Sequence, residues 1–195
     1  MGAKFWKECC LVPNLITLSR ILLVPVFAGL LVAGRPRGAF LVFLLAGVTD
    51  VADGLAARIT KQKSRLGLWL DPVADKLLLT AAFILLGLTG ISRPNAIPLH
   101  VVGIVVGRDV LIALGAVILL LWKGQKVFFP TLLGKVSTVA QVLTVLGVLA
   151  LNAFGTASPH LRWAYETTLV ATLASGIQYF ILTLPLLSDR NKEKS

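Results

Sequence analysis

Four aspartates crowd into the stretch DVADGLAARITKQKSRLGLWLDPVADK, residues 50–76: Asp50, Asp53, Asp71 and Asp75. Asp50 and Asp53 are three apart and Asp71 and Asp75 four apart, so on helices each pair shares one face. The intervening ITKQKSRL is short enough to make the two helices antiparallel neighbours, which gathers the pairs at one depth. Carboxylates that close repel one another and take up protons unless a cation compensates. One or two divalent ions would do so, and an all-oxygen donor set favours Mg²⁺ or Mn²⁺ over zinc, because no His or Cys lies nearby. His100 and His160 fall in or beside distant connections and read as surface histidines.

Small residues accompany the acids. Gly54, Ala57 and Gly67 leave space for a bulky ligand close to the backbone. The same residues would serve helix packing, since small side chains let membrane helices approach. Asp71 has a second reading too, because Asp before Pro72 suits a helix start.

The elements that must hold these acids are strongly apolar. Of 195 residues, 56% are hydrophobic and only 14% charged, with a mean hydropathy of +0.86; an ordinary soluble domain is excluded. Six apolar segments can be drawn, at 15–33, 38–58, 69–90, 98–122, 131–153 and 163–187, each of a length that crosses a bilayer core. The expected fold is all-α: one polytopic membrane domain over residues 1–195 with six transmembrane helices. Residues 3–11 mix Lys4 and Lys7 with Phe5, Trp6 and Leu11, as an interfacial helix would, a frayed tail being the alternative. The adjacent Cys9 and Cys10 make no disulfide framework and no metal-ligand spacing. The first apolar run lacks a cleavage site and is expected to stay in the chain.

The formal net charge is +10. Its basic residues are scattered among apolar segments instead of lining one soluble face, which argues against nucleic acid and for an anionic lipid surface or a phosphorylated substrate. With the N-terminus inside, Lys4, Lys7, Arg58, Lys61, Lys63, Arg65, Lys123, Lys126, Arg190, Lys192 and Lys194 are cytosolic, and Arg35, Arg37, Arg93 and Arg162 lie outside. Eleven against four puts both termini and the loop after Arg58 in the cytosol.

Four cations remain inside the apolar segments: Arg20, Lys76, Arg108 and Lys135. A charge there needs a partner or a ligand. Lys135 and Arg20 could bind a substrate phosphate, and each could equally snorkel to the interface. Lys76 suits neutralising the carboxylates or a lipid headgroup. Arg108 is harder to place: counted along a helix starting near residue 98, it falls nearer the outer half than the aspartates, so either that helix starts deeper or is broken, or Arg108 pairs with Asp109.

Written out, residues 50–75 read D-x-x-D-G-x-x-A-R, eight residues, then G-x-x-x-D-x-x-x-D. This resembles the signature of the CDP-alcohol phosphotransferases at every fixed position: Asp50, Asp53, Gly54, Ala57, Arg58, Gly67, Asp71 and Asp75. The resemblance implies that the four aspartates hold divalent metal on a bound CDP-alcohol, with Asp75 as the general base. Gly54, Ala57, Arg58 and Gly67 would accommodate the CDP moiety. It further implies CDP-diacylglycerol as donor, an alcohol acceptor, an active site facing the cytosol from the cell membrane, and a homodimer.

Flanking stretches are similar to the phosphatidylglycerophosphate synthase branch: PNLITLSRILLVPVF at 13–27, GRDVLI at 107–112, and LGKVSTVAQ at 133–141, whose Gly134, Lys135, Thr138 and Gln141 follow G-K-x-x-T-x-x-Q. That branch implies glycerol 3-phosphate as acceptor, met by Lys135, Arg108 and Arg20. The chain reads GRDVLIALG where the branch has Gly-Arg-Glu followed by a serine and a further arginine. The same segments also resemble the cardiolipin synthases of the CDP-alcohol type, whose acceptor is phosphatidylglycerol. An ion-coupled transporter is the remaining alternative from another class, disfavoured because these acids sit at helix ends around a basic loop and not at a midplane repeat interface.

Overall fold

The computed structural model describes residues 12–60, 67–123 and 131–188, and their side chains over 21–49, 76–115 and 131–183. Six helices account for the described secondary structure: α1 Val12–Val32, α2 Pro36–Thr60, α3 Gly67–Gly87, α4 Leu99–Lys123, α5 Leu132–Ala153 and α6 Leu161–Ser188. Each matches one apolar segment, and the ends move by a few residues because helical hydrogen bonding continues past the last apolar side chain. The most consequential shift is at α3. It begins at Gly67, so Asp71 lies inside the helix and does not cap it. The segment proposed as an interfacial helix, 3–11, lies outside the described residues.

The chain divides into two compact units. The first holds Met1–Ala96 with Val145–Ser158. Within it α1 packs on both α2 and α3, burying Phe27, Ala39, Phe43, Ala82, Phe83 and Leu86. The Phe27 and Phe43 rings meet at 5.8 Å between centroids, tilted by 48°. The turn from α1 to α2 is tight. Gly34, at φ 66°, lets Arg35 N–H donate to Leu30 C=O at 2.8 Å and Gly34 N–H to Leu31 C=O at 3.0 Å, the Schellman pattern that satisfies the last carbonyls. Gly155, at φ 68°, ends α5 in the same way.

A buried amide clamp closes the same end of this unit, where Arg37 Nε–H donates to Ala153 C=O at 3.0 Å. Asn152 Oδ1 accepts from Asn95 N–H and from Asn95 Nδ2, both at 2.9 Å. Its Nδ2 donates to Ser92 Oγ at 3.0 Å and to Asn95 C=O at 2.9 Å. Asn95 Nδ2 also donates to Thr156 C=O at 2.8 Å, and its Oδ1 accepts from Ser158 N–H at 3.1 Å. Two side chains thus tie the segment after α3 to the end of α5.

The second unit holds Ile97–Thr144 with Pro159–Ser195. Here α4 packs on α6, and α5 meets α6 through hydroxyls and an amide. Ser137 and Thr172 share a hydrogen bond at 3.1 Å, Gln141 Nε2 donates to both at 3.3 Å, and Thr144 and Thr168 share one at 2.8 Å. All five side chains are buried, while Leu132, Leu143, Val170, Ile177 and Phe180 are more than half exposed. Polar groups inside and apolar groups outside reverse the arrangement of a soluble bundle.

Because Gln141 bridges two hydroxyls that can still bond each other without it, Gln141→Leu is expected to cost roughly 1–2 kcal/mol. Denaturant unfolding of the purified protein in detergent micelles measures this. No loss of stability would show that the ladder contributes nothing.

Candidate functional site

The aspartates occupy the joined ends of α2 and α3. Asp50 and Asp53 lie in the last three turns of α2, and Asp71 and Asp75 in the first three turns of α3. For α3 to run parallel to α2, the link 61–66 would have to travel back along a helix of 25 residues, about 37 Å at 1.5 Å per residue. Seven extended peptide steps reach only about 25 Å. The helices therefore run in opposite senses, and both carboxylate pairs fall at the same end of the first unit. Their spacings of three and four persist on continuous helix, which keeps each pair on one helical face.

The side chains of Asp50, Asp53, Gly54, Ala57, Arg58, Gly67, Asp71 and Asp75 lie outside the described residues, as does that of Arg20 on α1. Their chemistry follows from the donor set. Four carboxylates from two helices, with no nitrogen or sulfur ligand in the stretch, fit a hard divalent cation such as Mg²⁺ or Mn²⁺. Among the described residues, no group of three His, Cys, Asp or Glu could hold a metal. His100 and His160 are both exposed.

Arg108 stands in the second unit, in the middle of α4. Its Nη1 donates to Asp109 Oδ1 at 2.7 Å, with the two side chains only 13% and 10% exposed. Its Nη2 donates to Ser175 Oγ on α6, and its buried Nε–H has no partner. The pairing with Asp109 is the one the sequence suggested; Ser175 was not foreseen. A Cβ at Gly134, in the first turn of α5, would stand 3.6 Å from Arg108 Nη2 and 3.7 Å from Ser175 Oγ. Helix α5 thus starts beside the middle of α4, and Arg108 lies level with its first turn, the turn that carries Lys135. Lys135 itself is exposed, and Lys76 is half-buried on α3.

The G-K-x-x-T-x-x-Q stretch divides into two jobs. Thr138 Oγ1 donates to Gly134 C=O at 3.1 Å, and Thr131 Oγ1 accepts from Gly134 N–H at 3.1 Å, so these hydroxyls fasten the first turn of α5. Gln141 belongs to the buried ladder with α6. Sequence reasoning passed over Ser175, Thr172 and Thr168. The available signal was their helical spacing along an otherwise apolar segment, a row of hydroxyls on one face.

Comparison with known proteins adds an independent finding. The family model described as CDP-alcohol phosphatidyltransferase matches residues 10–178. The cardiolipin synthase (CMP-forming) of Rattus norvegicus is 33% identical over 187 residues, covering 87% of this chain and 60% of its own. The CDP-diacylglycerol–glycerol-3-phosphate 3-phosphatidyltransferase of Bacillus subtilis is 32% identical over 197 residues, covering 92% and 98%. The enzyme of that same name from Aquifex aeolicus is 32% identical over 143 residues, covering 73% and 78%. The chain therefore spans 60% of the rat cardiolipin synthase and almost the whole of the bacterial glycerol-3-phosphate enzyme.

Proposed function

The chain belongs to the CDP-alcohol phosphatidyltransferase family, and from that premise we propose that it transfers a phosphatidyl group from CDP-diacylglycerol to an acceptor alcohol and releases CMP. The observation that carries this reading is the aspartate constellation: every fixed position of the signature stands in residues 50–75, across the successive ends of α2 and α3. Asp75 would take the proton of the acceptor hydroxyl as its oxygen bonds to the phosphorus bearing the diacylglycerol. The bond from that phosphorus to the CMP oxygen breaks, and CMP departs with both electrons. Mg²⁺ or Mn²⁺ held by Asp50, Asp53, Asp71 and Asp75 would supply neutralisation of the diphosphate. Arg58, with Gly54, Ala57 and Gly67, would seat the cytidine nucleotide.

The whole chain acts, in this reading, as one six-span domain in the cell membrane, with the active site and both termini on the cytosolic side. Supporting it, buried hydroxyls and amides join the helices while large apolar side chains face outward, an arrangement suited to hydrocarbon surroundings. Helix α5 by itself is long and apolar enough to cross a membrane. A homodimer is the assembly that the family resemblance implies.

For the acceptor, glycerol 3-phosphate is the first choice, since the chain matches nearly the full length of the B. subtilis enzyme of that specificity. Its phosphate would be met by Lys135 and Arg108, with Arg20 as a further candidate. Phosphatidylglycerol is the second. It is favoured by the apolar character of the surface next to Arg108 and by the comparable identity to the rat cardiolipin synthase.

The test is direct. Purified protein is given CDP-diacylglycerol and Mg²⁺ or Mn²⁺, and CMP release is followed with glycerol 3-phosphate, phosphatidylglycerol, inositol phosphate or serine in turn. Release with glycerol 3-phosphate is expected. Release with phosphatidylglycerol alone would shift the assignment to the second acceptor, and no release with any of them would overturn the proposal.

A further inference from the structure

Three of the four arginines assigned to the outer side, Arg35, Arg37 and Arg93, gather at one end of the first unit. Arg35 and Arg37 flank the start of α2, whose last turns carry Asp50 and Asp53, and Arg93 follows α3, whose first turns carry Asp71 and Asp75. Cluster and aspartates therefore stand at opposite ends of the same helices, with Arg37 and Asp50 about 20 Å apart along α2. The end of α5 draws the arginines together. Arg37 Nε–H donates to Ala153 C=O at 3.0 Å, and Asn152, one residue earlier, donates to Ser92, the neighbour of Arg93.

All three arginines are exposed, and two of the forks are aimed. Arg37 spends its Nε–H on the last carbonyl of α5, and Arg93 spends its own on Thr89 C=O at 3.3 Å, just past α3. Holding a guanidinium at Nε leaves both Nη groups for another acceptor. The chain supplies no carboxylate for them, because residues 30–49, 76–96 and 145–158 contain no Asp or Glu. A phosphate, which a guanidinium takes through two parallel N–H bonds, fits this surplus. The surrounding surface says what carries the phosphate. Phe154, beside the Ala153 anchor, is 77% exposed, and Val32, just before the turn, is 66% exposed. An acidic peptide would satisfy the charges and leave these side chains in water. A phospholipid satisfies both, with its phosphate on the arginines and an acyl chain along Phe154 and Val32. A zwitterionic headgroup brings its own cation, so three uncompensated positive charges favour an anionic one.

We propose that the end of the first unit away from the aspartates binds the headgroup phosphate of an anionic phospholipid, in the leaflet opposite the active site, through Arg35, Arg37 and Arg93. The inference rests on the membrane-embedded reading above and is independent of the reaction and its acceptor.

The experiment places the full chain in phosphatidylcholine vesicles with a trace of phosphatidylglycerol that carries a photoactivatable diazirine near the glycerol end of one acyl chain. Labelled peptides are mapped by mass spectrometry. Labelling is expected within residues 32–38, 88–95 and 153–158, competed by unlabelled phosphatidylglycerol and not by added phosphatidylcholine or inorganic phosphate. Arg35→Gln, Arg37→Gln and Arg93→Gln should each weaken that competition about fivefold, the preference one basic group confers near a membrane surface. The triple variant should lose the preference for phosphatidylglycerol, while Lys192→Gln with Lys194→Gln, which removes charge elsewhere, should keep it. Arg35, whose side chain bonds nothing among the described residues, tests the charge without disturbing the fold. Equal competition by phosphatidylcholine, competition by inorganic phosphate, or unchanged labelling of the triple variant would overturn the inference. Flotation separates the two readings: a chain that floats with the vesicles but shows no arginine-dependent labelling sinks the headgroup site alone, and a chain that does not float sinks the membrane reading with it.

Discussion

Asp75→Asn is expected to lower CMP release by roughly 10³-fold or more, because a positioned general base contributes about 10²–10⁴-fold and the same side chain is a proposed metal ligand. The substitution keeps the size of the side chain and the helix that carries it, so far-ultraviolet circular dichroism and the melting temperature should stay close to the parent's. The amide cannot take up the acceptor proton, and its neutral oxygen is a weaker donor to a divalent ion. In the parent protein, EDTA should abolish release and added Mg²⁺ or Mn²⁺ should restore it; in the Asn variant neither ion should rescue it, even in excess. Activity within tenfold of the parent would remove Asp75 from both roles. Full parental activity in EDTA would remove the metal.

Asn152→Ala should produce the largest loss of stability. The side chain makes four hydrogen bonds in a site where Asn152 is 4% exposed, Asn95 8% and Ser92 2%. Truncation leaves the backbone N–H and carbonyl of Asn95 and the hydroxyl of Ser92 without those partners, and an unsatisfied buried group costs about 1–3 kcal/mol. Remaining contacts, such as Asn95 with Thr156 and Ser158, hold part of the clamp, so a total near 3 kcal/mol is a fair central value. For a chain of this size that corresponds to a fall of roughly 6–12 °C in Tm, read by thermal unfolding in detergent. Because the clamp sits far along the chain from the aspartates and touches none of their helical turns, CMP release below the new Tm should be largely retained. A fall of less than about 2 °C would mean that the clamp is replaced by water at little cost.

Much of the site was legible before any coordinates. The constellation of Asp50, Asp53, Asp71 and Asp75 is a matter of residue type and spacing, and continuous helix over those positions preserves the spacing that made each pair a pair. Arg108 shows where reading the chain stopped. Counting along one helix gave only its distance from that helix's own end; its neighbours, Ser175 on α6 and the first turn of α5 beside the middle of α4, come from distant parts of the chain. Gln141 shows the complementary case: a position matched within a family-like stretch turned out to be buried structure, bonded to Ser137 and Thr172.

By itself, then, the sequence determined six helices, their approximate ends and the acidic signature, because apolar runs, turn residues and i to i+3 or i+4 spacings are local properties of the chain. The tertiary structure alone decided that Arg108 meets Ser175, that Asn95 meets Asn152, that α5 begins beside mid-α4 and that Arg37 reaches the last carbonyl of α5. The physical reason is rotational: these helices are apolar nearly all round, so hydropathy does not say which face turns inward. That choice is made by a few hydroxyls, amides and glycines whose partners lie far away in sequence.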